Sequence, residues 1–219
     1  MIMGQNSATL KRCRGRPQIR PDEETLHLLV EAAAAEFQAS GYAAATMGGV
    51  AQRAGISTKT MYRLIPNKAE LFKKVISERI SGFMLEVDPA ALDDYDLTEA
   101  VEHILIAFGS LTLHKETLAM VRLVIGECDR FPELAAAFHE IAVVQTTNAM
   151  AGWLERQRQR GLLKLDDPAT SASALRGMMT MDLQRTAMLG LSHVPTPEEI
   201  RDRARFCAKL FLYGCRAST

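Results

Sequence analysis

The stretch Thr46-Met47-Gly48-Gly49-Val50-Ala51-Gln52-Arg53-Ala54-Gly55-Ile56-Ser57-Thr58-Lys59-Thr60-Met61-Tyr62-Arg63-Leu64-Ile65-Pro66-Asn67-Lys68-Ala69-Glu70-Leu71-Phe72 decides the fold of this chain. Thr46 suits the N-cap of a short helix, Met47 to Ala54. Gly55 then supplies a left-handed turn that a side chain resists. Ser57 caps a second helix, Thr58 to about Leu64. Pro66 ends that helix, because the residue before a proline disfavours helical backbone. Asn67 caps the next one, with Glu70 placed as in a capping box. Two short helices broken by one glycine make a helix-turn-helix, whose second helix lies in the major groove of duplex DNA. Val50 and Ala54 can face inward, Ile56 plugs the turn, and Met61 faces inward from the second helix. The outward face of that helix shows Thr58, Lys59, Tyr62 and Arg63, with Thr60 at its side. These side chains offer donors, positive charge and one flat ring, which suit phosphates and base edges.

Outward from this stretch the period is helical throughout, and no alternating strand pattern occurs. A first helix runs from Asp22 to Ser40 on the stripe Leu26, Leu29, Val30, Ala33 and Phe37, and Gly41 stops it. The helix capped by Asn67 carries Leu71, Phe72, Val75, Ile76, Ile80 and Phe83, and ends near Asp88-Pro89. Val101 to Leu111 and Leu118 to Ile125 mark two more. First-turn prolines open long helices at Pro132 (to about Gly161) and Pro168 (to about Leu189). Thr196-Pro197-Glu198-Glu199 is a capping box for the last, to about Tyr213. The fold expected is all-α with nine helices. Residues 1–20 form a flexible basic arm, 21–66 a helix-turn-helix domain, and 67–219 a helical bundle. The helix after Asn67 belongs partly to both domains.

Composition supports this division. The 219 residues are charge-neutral overall. Residues 1–80 nevertheless hold 12 Lys or Arg against 7 Asp or Glu, and residues 81–219 hold 14 against 19. A basic front and an acidic back fit nucleic-acid contact confined to the front. Within the arm, Arg14 and Arg16 could enter a minor groove or simply attract DNA nonspecifically. No apolar run is long enough to span a bilayer, so no membrane partner is expected. The four cysteines form no Cys-x-x-Cys pair and no apolar stretch follows the basic N-terminus, so a cytoplasmic protein is expected.

Residues 20–76 resemble the N-terminal domain of TetR/AcrR-type transcriptional regulators. The resemblance is carried by Thr46-Met47, Val50-Ala51, Ala54-Gly55-Ile56-Ser57, Thr60-Met61-Tyr62, Pro66-Asn67-Lys68 and Leu71-Phe72. It implies that Thr46, Tyr62 and Lys68 contact phosphates and that Thr58, Lys59 and Thr60 face the major groove. It also implies a homodimer, a palindromic operator in double-stranded DNA, and an effector-binding C-terminal domain. Gly48-Gly49 depart from the pattern, at a cost of roughly 1 kcal/mol each relative to alanine. From about Glu116 to Leu189 the chain resembles the AefR-like C-terminal subtype of that family. The match rests on Arg122 to Glu127, Arg130-Phe131-Pro132-Glu133-Leu134, Gly161-Leu162-Leu163 and Asp166-Asp167-Pro168.

An effector pocket between helices is mostly apolar with a few polar groups. Its candidate liners are His103, Phe108, Arg122, Phe138, Gln145, Asn148, Met150 and Trp153, of which the aromatic residues also suit plain core. The apolar residues Leu175, Met178, Met179, Leu183, Cys207 and Phe211 on the last two helices suit a four-helix dimer interface. No catalytic constellation, metal-ligand spacing or cofactor loop is recognisable, so a non-enzymatic regulator without cofactor is expected. Two other readings stay open: a DNA-binding protein whose C-terminal half only dimerises, and a helical small-molecule-binding or catalytic protein whose basic front is incidental.

Overall fold

The computed structural model describes residues 21–92 and 94–215, and these are almost entirely helical. Arg14 and Arg16 lie outside the described residues. The helices are α1 (Asp22–Ala44), α2 (Met47–Ala54), α3 (Thr58–Leu64), α4 (Lys68–Glu86), the single turn α5 (Pro89–Leu92), α6 (Leu97–Thr112) and α7 (Lys115–Glu127). Then follow α8 (Pro132–Phe138), a π-helical stretch (His139–Val144), α9 (Gln145–Gln159), α10 (Pro168–Met188) and α11 (Pro197–Cys215). The helix expected from Pro132 onward therefore keeps helical backbone through both junctions but is widened over six residues. Counting it as one and setting α5 aside leaves nine helices among the described residues. No single helix there is long and apolar enough to cross a membrane.

The caps are those the side chains dictate. Thr46 Oγ1 accepts from Gly49 N at 3.0 Å, Ser57 Oγ from Thr60 N at 3.1 Å, and Asn67 Oδ1 from Glu70 N at 2.9 Å. Each satisfies one backbone N–H that the first helical turn leaves unpaired. Glu70 itself makes an ion pair with Lys73 at 2.7 Å, so Asn67 forms half a capping box. Thr196 and Glu199 form a whole one, with bonds of 3.2 and 2.7 Å. Gly41, at φ 76°, interrupts helical geometry inside α1, and Gly55, at φ 67°, makes the turn between α2 and α3.

Two apolar cores form. The first gathers α1 to α3 and the front of α4, with Leu29, Phe37, Val50, Met61, Phe72 and Ile76. It also takes in Val124 of α7 and Leu134, Ala137 and Ile141 of α8 and the π-helical stretch. The second core runs from Phe83 through α6 to α11. α4 thus crosses from one core to the other. Burying these side chains is the main favourable term in folding. Gly109 of α6 lets α10 and α11 approach closely: a Cβ there would lie 2.5 Å from Met179 Cε and 3.0 Å from Ile200 Cγ2.

Candidate nucleic-acid interface and ligand cavity

The DNA-reading candidates sit where local forces put them. Met61 is fully buried and pins α3 against the core, so the opposite side of this short helix faces water. Thr58 and Lys59 are exposed there, and Tyr62 is 54% exposed. Thr60 is half-buried, its Oγ1 2.9 Å from Ser57 Oγ. The exposed Thr46 spends one acceptor position on the α2 cap.

Two basic residues are committed within the chain. Arg63 makes a bidentate pair with Asp22 at the start of α1, at 2.6 and 2.8 Å. The Arg63 hydrogen bond holds the Asp22 carboxyl below its usual range. Lys68 Nζ donates to the carbonyls of Tyr42 (2.7 Å), Ala45 (3.0 Å) and Ala43 (3.4 Å), and lies 4.4 Å from the centroid of the Tyr42 ring. An ammonium has three donors, and all of Lys68's point at carbonyls in the end of α1 beyond Gly41 and in Ala45 just after it. Partial burial lowers its pKa. In this arrangement Lys68 secures the loop that carries Thr46, and its ammonium is turned inward.

The same loop meets the C-terminal half. Tyr42 packs edge-on against Phe131 at 5.2 Å, and the Ala43 N–H donates to Glu127 Oε1 at 3.3 Å. The ends of α7 and α8 therefore hold the strand of backbone that leads into α2.

A cavity of about 140 Å³ lies between α4, α6, α7, the π-helical stretch and α10. Ile76, Ile80, Leu111 and Phe138 supply apolar wall, and Thr117, Arg176 and Gln184 supply polar groups. Of the sequence candidates, Phe108 and Phe138 line it. The others do not. His103 stacks on Tyr95 at 4.9 Å and sits 2.6 Å from Glu86, a lateral contact between α4 and α6. Arg122 donates to the carbonyls of Ala187 and Met188 and so finishes the C-terminal end of α10. Gln145 and Asn148 are exposed, because the widened turn before them rotates α9. Met150 and Trp153 are buried in the second core. Sequence reasoning missed Arg176 and Thr117, whose helical spacing resembles that of any partly solvated face.

A larger hollow of about 580 Å³ separates α1 and α4 from α7. Its ionic groups are close to one another: Arg79 pairs with Glu116, and His27 lies 3.4 Å from Glu31 and 3.6 Å from Glu78.

The dimer candidates divide. Leu175, Met179 and Cys207 are fully buried in their own chain, because the inner stripe of α10 and α11 packs on α6. Met178, Leu183 and Phe211 are partly buried against the same core. The outer apolar face instead carries Met181, Phe206, Leu210 and Tyr213, between 53% and 80% exposed.

Comparison with known proteins bears on the family and the fold. Residues 29–75 match the family described as bacterial regulatory proteins, tetR family. Residues 99–215 match the AefR-like transcriptional repressor C-terminal domain. Among solved structures, a TetR-family regulator from Mesorhizobium loti superposes with a TM-score of 0.78 at 24% identity, covering 91% of this chain and all of that one. The flavonoid-responsive regulator FrrA superposes at 0.72 with 28% identity, covering 90% of this chain and all of that one. SmeT, the repressor of the Stenotrophomonas maltophilia multidrug efflux pump SmeDEF, superposes at 0.62 with 20% identity over 90% of this chain and 93% of that one. No curated protein matches. With a family match on each half, the chain belongs to the TetR family of bacterial regulatory proteins and carries an AefR-like C-terminal domain.

Proposed function

We propose that the protein is a homodimeric transcriptional repressor that leaves a palindromic operator when a small molecule occupies the cavity beneath α4. The observation that carries this reading is the path of α4. Its first turn holds the loop before α2 through Lys68, and Ile76, Arg79 and Ile80, further along the same helix, line the cavity. A ligand that favours one position of α4 thereby changes where α3 points. Such a ligand needs different affinities for the two arrangements, worth ~1–3 kcal/mol of coupling. FrrA is by its own description flavonoid-responsive, which supports a small-molecule response here.

Contacts to DNA are assigned to Thr58, Lys59, Thr60 and Tyr62 on α3 and to Thr46 at the start of α2, with Arg14 and Arg16 of the arm adding charge. Arg63 and Lys68 mainly position α3 and α2. The dimer forms through the outer face of α10 and α11, which sets two copies of α3 on successive major grooves. Gel-shift titration against the DNA flanking its own gene tests the reading. Sharp, salt-dependent binding to a palindrome is expected. An absence of binding at low salt would sink it.

A further inference from the structure

Among the described residues, only two buried side-chain polar atoms lack a hydrogen-bond partner, Thr117 Oγ1 and Arg176 Nε, and both residues line the 140 Å³ cavity. Buried polar groups are normally satisfied, since an unpaired one forfeits its hydration without compensation. Two such residues on different helices lining one cavity mark a place where a side-chain shift of either lets something else supply the partner.

The surroundings restrict what that partner is. Arg176 is fixed rather than mobile. Its guanidinium carbon lies 4.9 Å from the centroid of the Phe108 ring, and Nη1 donates to the Val143 carbonyl at 3.3 Å and to Thr147 Oγ1. This anchoring uses one edge of the fork and leaves Nε–H without an acceptor. Guanidinium has no acceptor atom and keeps its charge in proteins. Among the described residues no acidic side chain lines the cavity, and the other cation there, Arg79, is paired with Glu116. The site therefore holds an uncompensated positive charge in an apolar setting, where its attraction for an anion is strengthened. The π-helical stretch contributes Ala142 and Val143 to the wall, and such widened turns occur frequently at functional sites. As to size, an apolar cavity of about 150 Å³ holds benzene.

We infer that this cavity is the effector site and that it takes a small organic anion, an aromatic or compact apolar carboxylate. Its charged head bonds to Arg176 Nε and Thr117 Oγ1, and its ring packs among Ile76, Ile80, Leu111 and Phe138. This deepens the ligand-release reading above and rests on it.

Calorimetric titration of the full chain with benzoate, benzamide and benzylamine tests the inference, since the three share a ring and differ in charge. Benzoate is expected to bind at least about tenfold more tightly than benzamide, the scale of a hydrogen bond to a charged group, and benzylamine not to bind. Arg176→Met should abolish the preference for benzoate. Thr117→Val should weaken benzoate severalfold and keep the preference. If Arg176→Met fails to fold, Arg176→Lys serves instead and should retain the preference with lower affinity. Benzoate that binds no better than benzamide, including no detectable binding of either, overturns the inference, as does a preference that survives Arg176→Met. An operator duplex added to the same samples separates this from the release mechanism. Benzoate that binds without loosening the duplex removes the release reading and keeps the anion site; benzamide that releases the duplex does the reverse.

Discussion

The carboxylate of Glu127, the last residue of α7, accepts the backbone N–H of Ala43 at 3.3 Å, three residues before the α2 cap Thr46. The same oxygen lies 3.3 Å from where a Cβ on Gly41 would stand, so the loop and the carboxylate fit closely. Glu127 thereby links the far end of α7, which also bears the cavity residue Thr117, to the segment that orients α2 and α3.

Removing that acceptor leaves a partly buried N–H unpaired. Glu127→Ala should lower stability by about 1 kcal/mol and speed hydrogen exchange at the Ala43 amide. Operator affinity should fall severalfold, because α2 loses a restraint on its starting point. Glu127→Gln keeps an acceptor oxygen and should lose less. Urea unfolding, amide exchange and anisotropy titrations would read these effects together. An Ala43 amide that exchanges equally slowly in Glu127→Ala shows that the contact does not restrain the loop.

Arg63 and Asp22 form an exposed bidentate pair between α3 and α1. Exposed pairs contribute little to stability, so the interest lies in where the charge is held. Asp22→Asn should leave the melting temperature nearly unchanged and release Arg63 toward phosphate. Nonspecific DNA binding should tighten, with the slope of log affinity against log salt steeper by about 1. A salt slope identical to that of the wild-type chain would place Arg63 away from DNA.

The helix-turn-helix was legible because its signals are local. A cap, a left-handed glycine, a second cap and a proline fall within about twenty residues, and each acts on backbone beside it. The cavity beneath α4 was not legible for the opposite reason. Arg176 is fixed by Val143, 33 residues earlier, and by Phe108 on α6. The π-helical stretch has no distinctive residue pattern, yet it rotates everything after it, which is why Gln145 and Asn148 face water rather than a pocket. On α10 and α11 apolar residues occupy both an inner stripe and an outer face. Periodicity cannot say which stripe packs on α6 and which faces outward; Leu175, Met179 and Cys207 lie on the inner stripe.

Gly48 and Gly49 look equivalent in sequence and are not equivalent in space. A Cβ on Gly48 meets nothing within 4 Å, whereas one on Gly49 stands 3.1 Å from Thr46 Oγ1 and 3.4 Å from Glu36 Oε1. Gly48→Ala should therefore stabilise the protein by up to about 1 kcal/mol through helix propensity. Gly49→Ala should gain less or destabilise, because it crowds the hydroxyl that caps α2 and the carboxylate that holds Arg53 at 2.9 Å. Thermal unfolding of the two single variants decides this. Equal gains at both positions would mean that the Thr46 cap yields without cost.

Phe206, Leu210 and Tyr213 stand at steps of four and three on α11, so they share one face, and that face lies away from the stripe packed on α6. Burying Phe or Leu side chains is worth about 1.5–3 kcal/mol each, and a twofold interface counts every contact twice. A charge placed there is doubly unfavourable, since it removes apolar contact and must be desolvated. Phe206→Glu with Leu210→Glu should convert a dimer to a folded monomer by sedimentation, with unchanged helical content. Operator affinity should collapse, because one α3 reads only half a palindrome. Leu85→Glu, at an apolar position on α4 that is 73% exposed, controls for the added charge and should remain dimeric. A double variant that stays dimeric places the interface elsewhere and leaves the outer face of α11 without its assigned partner.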